Sequence, residues 1–136
     1  MRATRQLLAS LLFVAGQAVG QTTAQCERSV IHYESANQGI LGQKAVLEVV
    51  RARAKSSGKS VCRVLLEKGQ FSWATRKRLK IRLALRQKAR YDLIRSMNNE
   101  VLPDDSYQWF ARRPHKFAGK KVRIGSHTFN NLKEKS

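Results

Sequence analysis

An apolar stripe over residues 41–54 constrains the fold of this chain more than any other feature. Its apolar side chains recur at the spacing of one helix face: Leu41, Ala45, Val46, Val49 and Val50. The run Ser56-Ser57-Gly58 follows, and Gly58 suits the left-handed residue that ends many helices. We therefore predict a helix over about residues 41–54, whose apolar face must be covered by other elements.

The neighbouring segments predict those other elements. Residues 27–36 indicate a short helix, and residues 61–66 form a short apolar segment that fits either a strand or a helical turn. Residues 72–97 indicate one long helix, whose other faces are strongly basic. Around Gly125-Ser126, two short runs of β-favouring residues indicate a hairpin or two short strands.

The length of the chain limits how these elements can be arranged. A chain of 136 residues makes one domain with a modest core, not two. We expect an α+β fold that is mainly α, a compact single domain of lysozyme-like size with a small β-hairpin.

The charge of the chain indicates an anionic partner. It has 27 Lys and Arg against 9 Asp and Glu, a formal net charge of +18, which attracts nucleic acid, anionic lipid or a cell envelope. The basic residues 76–90 would suit phosphate contacts, although a solvated helix face has the same pattern. Because the N-terminus indicates export, we expect an anionic envelope surface as the partner and no nucleic acid.

The N-terminus has the pattern of an export signal. Arg2 and Arg5 precede an apolar run over residues 7–19, and small residues follow at Ala18 and Gly20, or at Thr22 and Ala24. We predict a signal peptide or signal-anchor over residues 1–24, a folded domain over residues 25–136, and export to the periplasm of a Gram-negative bacterium. Because a stable membrane span needs ~20 apolar residues, anchoring through this run would be transient.

Two cysteines, Cys26 and Cys62, accompany this signal. In an oxidising compartment they fit one disulfide, and two buried free thiols are the alternative. Two cysteines cannot build a zinc site alone, and the three histidines show no ligand spacing. We therefore expect no metal and no cofactor.

Glu34 is the informative carboxylate in a chain with few acids. It shares a predicted helix face with Val30 and Ile31, close to the helix end. Desolvation and the negative end of the helix dipole would both favour its protonated form, as a general acid for a glycosidic oxygen requires. The alternative is an ordinary boundary glutamate paired with Arg or Lys, and spacing alone favours that alternative.

Four sequence elements occur in a characteristic order. They are Glu34, Gly42-Gln43, Gly69-Gln70-Phe71-Ser72 and Ile124-Gly125-Ser126-His127-Thr128-Phe129. In this order they resemble the SleB-type cell wall hydrolases, the spore-cortex-lytic enzymes and their phage relatives, over about residues 27–130. One departure is Arg51-Ala52-Arg53, where the family usually has Leu-Asn-Arg.

The resemblance implies cleavage of peptidoglycan glycan strands by a lytic transglycosylase, with Glu34 as the catalytic acid and then the base. It also implies substrate-binding residues, which we predict to be Gln43, Gln70, Phe71, Ser72, Tyr107, Trp109 and His127. The alternative role for the two glutamines is to brace Glu34. For Tyr107 and Trp109 the alternative is packing in the core, and for His127 it is a structural hydrogen bond. We expect a monomeric phage endolysin or lysis protein. The alternatives are a secreted cationic protein that damages envelopes without catalysis and a basic nucleic-acid-binding protein.

Overall fold

Four helices and one three-stranded sheet make up the part of the chain that the structure describes. The computed structural model describes residues 22–67, 71–75, 85–112 and 119–132. The elements are α1 (Thr23–Ser35), α2 (Ile40–Ser57), α3 (Val61–Leu66), α4 (Leu85–Ser96), β1 (Trp109–Ala111), β2 (Lys121–Ile124) and β3 (His127–Asn130). The predicted α+β class, mainly α, is confirmed.

Helix α2 is the central helix, and it is longer than its apolar stripe predicted. Gly58 ends it in the left-handed conformation at φ 66°, and its N–H bonds back to helix carbonyls, so this prediction is confirmed. Four stripe residues are fully buried: Ala45, Val46, Val49 and Val50. Leu41 is 53% exposed, so its place on the buried stripe was wrong. It lies in the first turn of the helix.

Helix α1 packs against α2 and begins with a capping box. The Thr22 hydroxyl accepts from the Gln25 N–H at 3.2 Å, and the Gln25 side chain accepts from the Thr22 N–H at 2.9 Å. The folded helix therefore includes the last residues of the predicted export segment. Residues 1–21, which carry the apolar run, lie outside the described residues. None of the described helices is long and apolar enough to cross a membrane.

A disulfide joins α1 to α3. It links Cys26, which is fully buried, to Cys62. The two cysteines therefore form the predicted disulfide and are not free thiols. Residues 61–66, which fitted a strand or a helical turn, form a helix that begins where the Ser60 hydroxyl accepts from the Arg63 N–H. Val64 and Leu65 of this helix are buried in the core.

The sheet has the order β1-β3-β2, and both pairs are antiparallel. The predicted hairpin is confirmed: Ile124 pairs with His127 across Gly125-Ser126, and Gly125 has φ 59°. Phe129 of the central strand faces Phe110 on one side and Val122 on the other. Strand β3 pairs with a neighbour on each edge, and all four of its residues are buried.

The long helix predicted over residues 72–97 is wrong at its start. Residues 71–75 form a turn in which the Ala74 N–H donates to the Phe71 carbonyl at 3.0 Å, and α4 covers residues 85–96. The Trp73 side chain is buried against α1, and such a tertiary contact outweighs a local helical preference. Residues 76–84, with most of the predicted basic face, lie outside the described residues.

Candidate active site around Glu34

Glu34 lies in the last turn of α1 and is half-buried. Its Oε1 accepts a hydrogen bond of 2.6 Å from the indole Nε1 of Trp73. An indole N–H donates and cannot accept, so Oε1 must remain an acceptor in either protonation state of the acid. Oε2 has no partner among the described residues, so it is the oxygen that is open to another group.

An aromatic wall fixes the indole in this position. The Trp73 ring stacks on Tyr33 with centroids 4.7 Å apart and planes 19° from parallel, and Phe71 lies 5.9 Å away. Both Phe71 and Trp73 are more than nine-tenths buried. The Arg53 guanidinium lies 5.6 Å from the Phe71 ring centre, and burial lowers the pKa of Arg53 while the charge of Glu67 opposes that shift.

Gln43 fixes the end of α1 beside the acid. The Ser35 carbonyl accepts from the Gln38 N–H at 2.9 Å and from Gln43 Nε2 at 3.0 Å, and Gln43 Oε1 accepts from Arg90 Nε at 2.7 Å. The last carbonyls of a helix lack partners within the helix, so these bonds stabilise the terminus. Gln43 is thus bonded to the backbone next to Glu34, and no bond from it to the Glu34 carboxylate is found in the described structure.

The β-hairpin contacts the loop that follows Glu34. Gln38 Nε2 donates to the Ser126 hydroxyl at 2.6 Å, and Gln38 Oε1 accepts from the Ser126 N–H at 3.1 Å. A Cβ at Gly125 would meet Gln38 Oε1, so a side chain there would displace this amide. The positive φ of 59° is the reason that glycine is favoured at Gly125.

His127 lies inside the sheet core. Its side chain is 1% exposed and meets the Phe110 ring edge-on at 5.3 Å. Burial, with a smaller effect from the charge of Arg112, lowers the pKa of His127, so the imidazole is neutral at pH 7. Its Nδ1 has no hydrogen-bond partner among the described residues.

The structure brings only some of the predicted site residues together. Phe71 reaches Glu34 through Trp73, whereas Tyr107 is buried in the core and Trp109 lies half-buried in β1. Ser72 is exposed in the turn beside Trp73, and Gln70 lies outside the described residues. That these side chains bind sugar stays a prediction.

Trp73 is the residue that sequence reasoning missed. The predicted long helix placed it among that helix's apolar positions, with no function of its own. The one sequence feature that pointed to Trp73 is its position directly after Gly69-Gln70-Phe71-Ser72.

Five of the other described carboxylates are bonded to other groups. The partnered acids and their donors are Glu27 with Arg51 and Tyr91, Glu48 with Lys44 and the N–H groups of residues 101 and 102, Glu67 with Lys59, Asp104 with Ser106, and Asp105 with Lys55. Asp92 and Glu100 are exposed. Among the described residues Glu27 is the one fully buried carboxylate, and its bonds to Arg51 and Tyr91 occupy it.

A comparison with protein families decides the class. The model of the Cell Wall Hydrolase family matches residues 37–130, more than half of the 136-residue chain. The chain belongs to the Cell Wall Hydrolase family. The resemblance predicted from the four sequence elements is confirmed, and peptidoglycan is the substrate of such a hydrolase. No match was found among curated proteins or among solved structures.

The matched segment covers most, though not all, of the site. It includes Gln43, Phe71, Trp73 and the hairpin, and it begins just after Glu34. Glu34 as the catalytic acid therefore stays a prediction.

Proposed function

We propose that this cell wall hydrolase cleaves the glycan strands of peptidoglycan as a lytic transglycosylase, with Glu34 as the acid and then the base. One observation carries the proposal: a half-buried carboxylate whose Oε1 accepts from Trp73 at 2.6 Å, while Oε2 has no partner among the described residues. The bond from Trp73 orients the carboxylate through Oε1 and leaves Oε2 available to the substrate, as proton transfer requires.

The reaction would use Oε2 twice. Protonated Oε2 donates to the glycosidic oxygen as its bond to the anomeric carbon of the muramic acid breaks. The resulting carboxylate then takes the proton of the 6-hydroxyl of the same sugar, and that oxygen bonds to the anomeric carbon. The product is a 1,6-anhydromuramic end, and Glu34 regains its proton.

The distribution of acids favours this route over hydrolysis. A retaining or inverting glycosidase commonly needs a second carboxylate about 5 to 9.5 Å from the first. Five of the other described acids are bonded to other groups, for instance Glu27 to Arg51 at 2.6 Å. The internal 6-hydroxyl of the substrate would make a second carboxylate unnecessary.

We also propose that the enzyme acts in the periplasm of a Gram-negative bacterium, as a phage lysis protein. The N-terminal residues have the pattern of an export signal, and the disulfide suits an oxidising compartment. A cut after Gly20 would keep the Thr22 cap of α1. Such a cut removes Arg2 and Arg5 and leaves 25 basic against 9 acidic residues, a net charge of about +16. This charge would concentrate the enzyme at the anionic envelope, so activity should fall as salt rises.

Digestion of purified peptidoglycan followed by mass spectrometry tests the reaction. We expect 1,6-anhydromuramic ends from the wild-type protein and none from Glu34→Gln. The matched control is Glu100→Gln, which removes the same charge from an exposed acid and should retain wild-type activity.

Each other product contradicts a definite part of the proposal. A reducing muramic end would mean a muramidase, a reducing glucosamine end a glucosaminidase, and intact strands no glycan cleavage at all. If Glu34→Gln lysed cells as fast as the wild type, a cationic protein that acts without catalysis would replace the proposal.

A further inference from the structure

A cavity of about 570 Å³ lies between α1 and α4, separate from the Glu34 carboxylate. Arg28, His32 and Ala36 line it from one side of α1, because positions four apart share a helix face. Glu34 is not among the lining residues, and its side chain lies about 160° around the helix from that of His32. The cavity has the size of a small-ligand site.

The lining of the cavity is cationic and partly apolar. Arg28 and Arg90 supply positive charge, Gln43 supplies an amide, and Tyr91 and Leu93 supply apolar surface. No carboxylate occurs among the lining residues that the structure describes. The buried Nε of Arg28 has no hydrogen-bond partner among those residues either. These groups favour a ligand that carries carboxylates on a partly apolar frame.

Hydrogen bonds hold the lining in place before any ligand arrives. The Tyr91 hydroxyl donates to Glu27 at 2.5 Å, and the Arg28 guanidinium lies 5.3 Å from the Tyr91 ring centre. Arg90 donates to Gln43 at 2.7 Å, and His32 Nδ1 lies 2.6 Å from the Gln87 amide. A site with fixed side chains loses little conformational entropy on binding.

We propose that this cavity binds the acidic peptide stem of peptidoglycan through its carboxylates. The inference rests on the proposed function, because the stem is attached to the muramic acid whose bond Glu34 would break. Arg28 lies six residues before Glu34, about 9 Å along the helix axis and about 120° around it, so one stem would have to reach around the helix as well as along it. An extended four-residue stem spans roughly 13 Å.

Binding of a free stem peptide tests the cavity without catalysis. The probe is a tetrapeptide of alanine, D-glutamate, diaminopimelate and D-alanine, titrated into the full chain and followed by calorimetry. Loss of one charge-assisted hydrogen bond should weaken binding of Arg28→Gln about tenfold. The matched control is Arg95→Gln: Arg95 also lies over the Tyr91 ring, at 5.6 Å, but is not among the lining residues. Its affinity should equal that of the wild type.

Cleavage of two substrates tests whether the cavity serves the reaction. One is stem-bearing peptidoglycan, and the other is the same glycan stripped of stems by an amidase. The ratio of kcat/KM between them should fall about tenfold in Arg28→Gln and keep its wild-type value in Arg95→Gln.

The outcomes separate the two proposals. The cavity proposal is overturned if the wild type does not bind the tetrapeptide, if Arg28→Gln binds it as tightly as Arg95→Gln, or if the substrate ratio is the same in all three proteins. If the wild type cleaves neither glycan, the proposed function fails, and the titration still decides whether the cavity binds acidic peptides.

Discussion

Replacing Trp73 by Phe tests the central contact of the site. The variant keeps an aromatic ring to stack on Tyr33 and removes the N–H that Glu34 accepts at 2.6 Å. We expect kcat to fall while KM changes little, because Trp73 is 9% exposed and offers little surface to a substrate.

The size of the effect follows from the bond. The indole N–H bonds a neutral carboxyl group before the reaction and a carboxylate as the proton leaves. A hydrogen bond contributes about 0.5–1.5 kcal/mol with a neutral group and about 1.5–3 kcal/mol with an ionised one, so the difference of about 1–1.5 kcal/mol is what lowers the barrier. Since about 1.4 kcal/mol corresponds to a tenfold change in rate, kcat should fall about tenfold.

The assay is the rate of 1,6-anhydromuramic product release from purified peptidoglycan. The reference is the kcat of the wild-type protein in the same assay. Urea denaturation of Trp73→Phe, Glu34→Ala and the double variant adds a double-mutant cycle, which should show a coupling free energy of about 1 kcal/mol. A kcat for Trp73→Phe within twofold of the wild-type value, or a coupling free energy of zero, would refute the reasoning.

Three further predictions concern stability. Replacing Cys26 and Cys62 by Ser opens a loop with a sequence separation of 36, which should lower the free energy of unfolding by about 4 kcal/mol in urea denaturation; a loss under about 1 kcal/mol would contradict the chain-entropy argument. Burial, then the hydrogen bond to Glu27, raises the pKa of Tyr91 from 10.0 to about 12, so the stability from its protonated form is complete below pH 10.0 and is lost as pH rises toward 12. Thermal melts at increasing pH should show this loss in the wild type and not in Tyr91→Phe. An equal dependence of the melting temperature on pH in both proteins would contradict the prediction. Burial lowers the pKa of His127 from 6.5, so its contribution is complete above pH 6.5 and is lost as pH falls below that value. Between pH 7 and 5 the melting temperature of His127→Gln should change less with pH than that of the wild type. An equal change in the two proteins would contradict the buried neutral imidazole.

Local patterns predicted the parts of the fold that local forces decide. The apolar spacing of α2 and the left-handed Gly58 predicted that helix, and Gly125-Ser126 predicted the hairpin. The order of the four sequence elements predicted the family. Each of these signals depends on residues that are close in the chain, or on the order of short elements along it.

Errors appeared where distant residues compete with local preference. Leu41 continues the helical spacing of α2, yet nothing in the local pattern shows that this residue is exposed. Trp73 and Ser72 continue a helical pattern, yet the contact of Trp73 with α1 favours a turn. Strand β1 was missed because it is three residues long and pairs with β3 from a distant part of the chain.

The sequence by itself determined the helical class, the hairpin, the family and Glu34 as the acid to test. Only the tertiary structure decided what surrounds that acid: Trp73 donates to Glu34 across 39 residues, and Gln38 bonds to Ser126 across 88. The physical reason is that helix and turn signals arise from neighbours along the chain. A hydrogen bond between distant side chains has no period, and it exists only once the core has packed its helices and sheet together.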